Sequence, residues 1–162
     1  MRYRHAPFYY AVVRPLLHLV WLAPSRYLRI VRPNLKPRTR VLIITDSHIL
    51  LIKNVVGSSQ WTLPGGGYHR NESAEDCAKR EVKEELGINL TSLAPIGKAN
   101  ENAKGMIWNY DCFVGHLDAR TSVTLSYEIS EAQWFPRNNV PVAVRPYALT
   151  IINRYAPPTT TP

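Results

Sequence analysis

Arg80, Glu81, Glu84 and Glu85 crowd into six positions at the end of one stretch, PGGGYHRNESAEDCAKREVKEELGI, Pro64 to Ile88. The same stretch begins with Gly65-Gly66-Gly67. Neighbouring carboxylates that turn away from water repel each other and lose solvation. They need a cation. Ligation by carboxylate oxygens alone suits a hard divalent ion, Mg²⁺ or Mn²⁺, which keeps some of its waters and binds through substrate phosphates as well. The glycines suit the same chemistry. Backbone without side chains lets phosphate oxygens or a metal come close, and a helix N-terminus behind it favours anions.

The element that must position these carboxylates is a helix over Ser73–Leu86. Ser73 and Asp76 have the spacing of a capping box in its acidic form, and Gly87 is placed to end the helix. At roughly 100° per residue, Asp76, Lys79, Arg80 and Lys83 fall on one side, the expected solvated face. Ala74, Cys77, Ala78, Glu81 and Glu85 fall opposite, with Glu84 at the edge. Arg80 with Glu84 is an ordinary pair four residues apart. Glu81 and Glu85, turned toward the small apolar residues, have no such explanation.

Around this helix the chain reads as strands. VLIITDSHILLIKN (Val41 to Asn54) predicts a hairpin with its turn at Asp46-Ser47-His48. Short strands are expected at Trp61-Thr62-Leu63, Met106 to His116 and Glu131 to Phe135, with a closing helix over Pro146 to Tyr155. Strands mixed with two or three helices, without a βαβ rhythm, predict a mixed sheet with helices packed on it. The 162 residues are 45% hydrophobic and 20% charged, enough for one domain with a core. Cys77 and Cys112 form no metal spacing and read as buried, reduced thiols of a cytoplasmic protein.

The charge is uneven. The net charge is +8 with 20 basic residues, and nine of these lie in residues 1–40, which hold no acidic residue. The chain is therefore read as a basic, apolar and helical N-terminal arm with its linker over 1–40, a domain over 41–156, and a flexible tail over 157–162. VRPNLKPRTR (Val31 to Arg40) is the proline-broken linker. Ala6 to Pro24 is apolar but carries Arg14, Pro15 and His18, which makes it a poor bilayer span. Packing on the chain's own domain or on a second copy as a homodimer is favoured for the arm. Peripheral contact with an anionic membrane surface, or with RNA, stays open.

Gly66, Glu72, Arg80-Glu81-Val82, Glu84-Glu85 and Gly87-Ile88 together resemble the Nudix box, G-x5-E-x7-R-E-U-x-E-E-x-G-U, with every fixed position filled. The likeness extends through WTLPGGG and YEISEAQWFP (Tyr127–Pro136), from about Val41 to Pro141. One departure is Asn71, where many relatives have glycine; asparagine is the next best residue for left-handed backbone. The resemblance implies a Nudix-type α/β/α sandwich with a mixed sheet. It implies an Mg²⁺- or Mn²⁺-dependent hydrolase that cleaves a phosphoanhydride bond in a nucleoside triphosphate or a nucleoside diphosphate-linked substrate. By position, Glu81, Glu84 and Glu85 would hold the metal with the Gly65 carbonyl. Glu72 and Arg80 would brace the loop against the helix. Glu128 falls where many relatives carry a further ligand or general base, a role that Glu84 shares.

The resemblance leaves the substrate open. The marker residues of the ADP-ribose, dinucleoside polyphosphate, NADH and coenzyme A subfamilies are not in place. Gly66, Gly67, Glu72 and Trp108 are the candidate substrate contacts. Trp61, Tyr68 and Tyr110 could also stack a base, though packing is favoured for each aromatic. Of the five histidines only His69, in the glycine-to-helix loop, is expected near phosphate. Two alternatives remain: an RNA 5′-end pyrophosphohydrolase, and a nucleotide-binding sensor that does not cleave. Sensors usually lose box carboxylates, and this chain keeps them.

Overall fold

The computed structural model describes residues 37–103 and 106–156. The arm expected over 1–40, apart from its last four residues, lies outside the described residues, as do its membrane, RNA and homodimer contacts and the tail. In chain order the elements are β1 (Arg38–Ile44), β2 (His48–Asn54), α1 (Ala74–Leu86), β3 (Ala94–Ala103), β4 (Met106–His116), β5 (Ile129–Pro136) and α2 (Pro146–Tyr155).

β1 sits in the middle of a five-stranded sheet of order β3-β4-β1-β2-β5. Val41–Ile44 is apolar without alternation, as a strand buried on both faces must be. β1 runs parallel to β4, with Arg38 opposite Tyr110 and Ile44 opposite His116. Its pairing with β2 is antiparallel, as are those of β2 with β5 and β3 with β4. Successive side chains take opposite faces. Val41, Ile43, Leu50 and Ile52 pack with Ala78, Val82 and Leu86 of α1. Leu42, Ile44, Ile49 and Leu51 pack with Tyr147, Ala148, Ile151 and Ile152 of α2. The result is the expected α/β/α sandwich, in which each fully buried aliphatic contributes about 1.5–3 kcal/mol.

α1 is set at both ends. The Ser73 hydroxyl accepts the Asp76 N–H at 3.1 Å and donates to the Asp76 carboxylate at 2.6 Å. Gly87 takes φ 71° and gives its N–H to the Lys83 carbonyl. α2 starts with Pro146 and is tied to the sheet by Tyr147, whose hydroxyl lies 2.6 Å from that of Thr62.

Three sequence expectations change. β3 was not expected, because APIGKANENA is polar and holds Pro95 and Gly97. It forms as an outer strand laid along β4, with a bulge between Pro95 and Gly97, where pairing outweighs propensity. Trp61-Thr62-Leu63 is not a strand of its own. Thr62 bridges to Ile52 and Trp61 to Val144, and Pro64, lacking an N–H, stops the ladder. Finally, Arg38 and Arg40, read as linker, belong to β1. No described helix is long and apolar enough to cross a membrane.

Candidate active site

The glycine loop is stitched to β1. The Val41 N–H donates to the Pro64 carbonyl at 2.9 Å, and the Thr39 N–H to that of Gly66 at 2.8 Å. Gly65 has φ 129°, and a Cβ there would strike the Thr39 carbonyl. At Gly66 a Cβ would land on the Glu81 carboxyl group and displace it. Gly67 has open space beside it. The loop therefore touches β1 on one side and the α1 carboxylates on the other.

Glu85 is 7% exposed, and its Oε2 accepts the Gly65 N–H at 2.8 Å. Burial pushes this carboxyl up to about 8. The Gly65 N–H and Arg40 oppose the rise, while Glu81 and Glu128 add to it. Glu81 is also raised, chiefly by burial, with Arg80 opposing and Glu84 adding. These two are the inward carboxylates that the helical wheel singled out.

Arg80 is not on a solvated face. Its side chain is 20% exposed and folds back over the loop. Nε and Nη2 grip Glu72 at 2.7 and 3.0 Å, and Nη2 also reaches the Gly67 carbonyl at 3.0 Å. Nη1 lies 3.0 Å from Glu81 Oε1 and 3.0 Å from Glu84 Oε2. Glu72 accepts the His69 N–H at 2.8 Å as well. The bonds from Arg80 hold the Glu72 carboxyl down at about 2. His69 thus meets Glu72 through its backbone. Asn71, between them, takes φ 62°, the left-handed backbone expected of it.

Glu84 is on the surface, 58% exposed. Glu128 is exposed on a loop that docks against the end of α1, where Ser126 N–H meets the Glu85 carbonyl at 3.0 Å. Among the described residues, no three His, Cys, Asp or Glu side chains gather around one point as a metal would gather them. The donor chemistry still fits a divalent ion. Glu72, Glu81 and Glu84 share the single guanidinium of Arg80, and Glu85 makes no ion pair among the described residues, so the cluster holds more carboxylate than cation. The Gly65 carbonyl meanwhile accepts a bond from Arg40 Nη1.

The aromatic candidates separate. Trp61 is buried edge-on to Phe135 with Lys53 on its ring. Tyr110 is 3% exposed and bonds Glu101 at 3.0 Å. Tyr68 gives its hydroxyl to Asp111. Trp108 lines a cleft beside the loop together with Tyr110, Arg38, Arg40 and Arg145. The arginines were missed by the sequence reading. The signal was there: Arg38-Thr39-Arg40 places two like residues on one face of a strand, at period two.

A model of the NUDIX domain matches residues 35–155. The chain is 31% identical over 113 residues to a NAD-capped RNA hydrolase, NudC, of Vibrio vulnificus, covering 67% of this chain and 41% of that protein. It is 29% identical over 107 residues to an oxidized purine nucleoside triphosphate hydrolase of Mus musculus, covering 65% and 69%. The chain thus spans well under half of the bacterial relative. Among solved structures, a MutT NUDIX hydrolase from Burkholderia pseudomallei superposes with a TM-score of 0.67 at 23% identity, covering 74% and 97%.

Proposed function

Because the chain belongs to the Nudix family, we propose that it is a pyrophosphohydrolase that cleaves a phosphoanhydride bond of a nucleotide with a divalent metal. The observation that carries this reading is the desolvated pair Glu81 and Glu85, pressed against Gly66 and Gly65. A buried carboxyl held up at about 8 is a poor structural element and a good cation site.

In this reading Glu81, Glu84 and Glu85 would hold Mg²⁺ or Mn²⁺, with the Gly65 carbonyl beside them, and the chemistry so supplied would be charge to offset that of the breaking P–O–P bridge and a lowered pKa for a water. The chain does the rest. Gly66 and Gly67 admit phosphate oxygens without side-chain obstruction. Glu72 and Arg80 fix the loop against α1, so that phosphate and carboxylates keep one geometry. Glu84 or Glu128, both exposed, takes the proton of the attacking water. No covalent enzyme intermediate is required. Two relatives act, by their names, on NAD-capped RNA and on oxidized purine nucleoside triphosphates. Both substrates carry a nucleoside on a phosphoanhydride, and that shared class is our assignment. Cys77 and Cys112, both free and buried, accord with a cytoplasmic setting.

The test is nucleotide and phosphate release from a panel of nucleoside triphosphates, oxidized ones, ADP-ribose, NADH, nucleotide sugars and triphosphorylated RNA. Turnover is expected to need Mg²⁺ or Mn²⁺ and to fall by a hundredfold or more in Glu84→Gln. Because Glu84 is exposed, the variant's melting temperature should stay close to that of wild type. Full activity of Glu84→Gln on every substrate would remove the metal site. Nucleotide binding with no turnover would favour the sensor reading.

A further inference from the structure

The glycine loop separates two charge imbalances of opposite sign. Around α1, Glu72, Glu81 and Glu84 share one guanidinium, that of Arg80. On β1, neither Arg38 nor Arg40 forms an ion pair among the described residues, although Glu85 acts on both arginines from a distance. Both line a cleft of about 160 Å³ with Asn54, Trp108, Tyr110 and Arg145. Arg145 is neutralised there: Glu101 takes it in a two-pronged pair at 2.8 and 2.7 Å. Arg40 is 6% exposed and spends Nη1 on backbone carbonyls, while its Nε has no hydrogen-bond partner. Arg38 Nε is buried and equally without a partner. Among the described residues Arg38 joins no ion pair, and its guanidinium lies over the Trp108 ring at 5.5 Å.

Buried guanidiniums are costly unless paired. Burial and the neighbouring Arg40 push Arg38 below the usual arginine range. The aromatic faces are already covered, Trp108 by Arg38 and Tyr110 by Arg40 at 4.7 Å. The cleft therefore offers positive charge rather than a bare ring. None of Glu72, Glu81, Glu84 or Glu85 lines it, so it adjoins the reaction centre without being part of it.

We propose that this cleft binds a phosphate group borne by the ribose of the substrate, additional to the phosphates of the cleaved anhydride, and that Arg38 is the contact that selects for it. A planar guanidinium whose Nε has no hydrogen-bond partner suits phosphate oxygens, which guanidiniums bind in pairs. The inference relies on the hydrolase reading only for the placement of the substrate along the loop. A ribose phosphate has two sources: a monoester on a mononucleotide, or the diester that continues an RNA chain.

Isothermal titration calorimetry without metal tests it on the full chain. The probes are adenosine and guanosine 5′-monophosphates, their 3′,5′-bisphosphates, and 5′-phosphorylated dinucleotides. Wild type should bind bisphosphate or dinucleotide at least tenfold more tightly than monophosphate. Arg38→Gln should bring that ratio close to one, and Arg38→Lys should restore part of it. Asn54→Asp, which adds a carboxylate to the cleft, should lower the ratio too and serves if Arg38→Gln does not fold. Preference for the bisphosphate alone supports a mononucleotide source, and equal preference for the dinucleotide an RNA end. A ratio near one in wild type, or one that the variants leave unchanged, overturns the proposal. Bisphosphate preference without hydrolysis of any substrate would leave the anion site standing and remove the hydrolase.

Discussion

Glu85→Gln removes a carboxyl that the fold keeps dry against Gly65 while sparing the hydrogen bond, since an amide oxygen can accept the same N–H. The folded-state pKa, about 8, lies above the ordinary carboxylate value near 4.3. The folded protein therefore holds a proton that the unfolded chain gives up. Its stabilising effect is complete below about pH 4 and is lost as pH rises through 8. At about 1.4 kcal/mol per pH unit the ceiling is about 5 kcal/mol, and with Glu85 only 7% exposed, solvent removes little of it. In melting temperature this is about 10–20 °C for a domain of this size. The assay is thermal melting of metal-free wild type and Glu85→Gln from pH 5 to 8.5. Wild type should lose stability steeply relative to the variant as pH rises toward 8. Mg²⁺ at pH 8 should raise the wild-type melting temperature and leave Glu85→Gln almost unmoved. Parallel curves for the two proteins would refute the idea that Glu85 is buried as a displaced cation ligand.

Glu72 has the opposite sign: held down at about 2 by Arg80, it stabilises above its unfolded pKa and loses that effect as acid protonates it. Between pH 5 and 2, wild type should lose about 1–3 kcal/mol that Glu72→Gln lacks throughout, read by chemical denaturation. Gly65→Ala should cost about 1–3 kcal/mol by setting a methyl group on the Thr39 carbonyl at a φ of 129°. Gly67→Ala, with open space, should stay within about 0.5 kcal/mol in the same denaturation series.

The helix was legible because its signals agree at every level. Ser73 caps it, Gly87 ends it, and the burial of Cys77, Ala78, Glu85 and Leu86 follows a 3.6-residue period. The closing helix, expected over Pro146 to Tyr155, takes those bounds as α2. What escaped was set by partners distant in sequence. β3 has no strand composition and exists because β4 offers it a free edge. The wheel put Arg80 in water, because its contacts with Glu72 and Gly67 come from a loop that folds over it. Arg38 and Arg40 looked like linker charge, since an excess of basic residues upstream hid a two-residue alternation. Their role depends on Trp108 and Tyr110, about seventy residues later, lying alongside them.

The place of β1 in the sheet also bears on the order in which the molecule assembles. Its antiparallel neighbour β2 is reached through a short turn closed by the Thr45 N–H on the His48 carbonyl. Its parallel neighbour β4 arrives only after the glycine loop, α1 and β3 have been made. Local pairings form early and distant ones wait for a large loop to close. The hairpin and α1 can thus form while Glu81 and Glu85 are still hydrated and free of mutual strain. Their repulsion is felt only once the glycine loop docks along β1 and Arg40 closes on Gly65. By the same ordering the glycine loop, 25 residues from Arg40, docks before β4 and β5 complete the sheet, so the crowding of the carboxylates is met partway through assembly, where a bound cation would favour the docked loop.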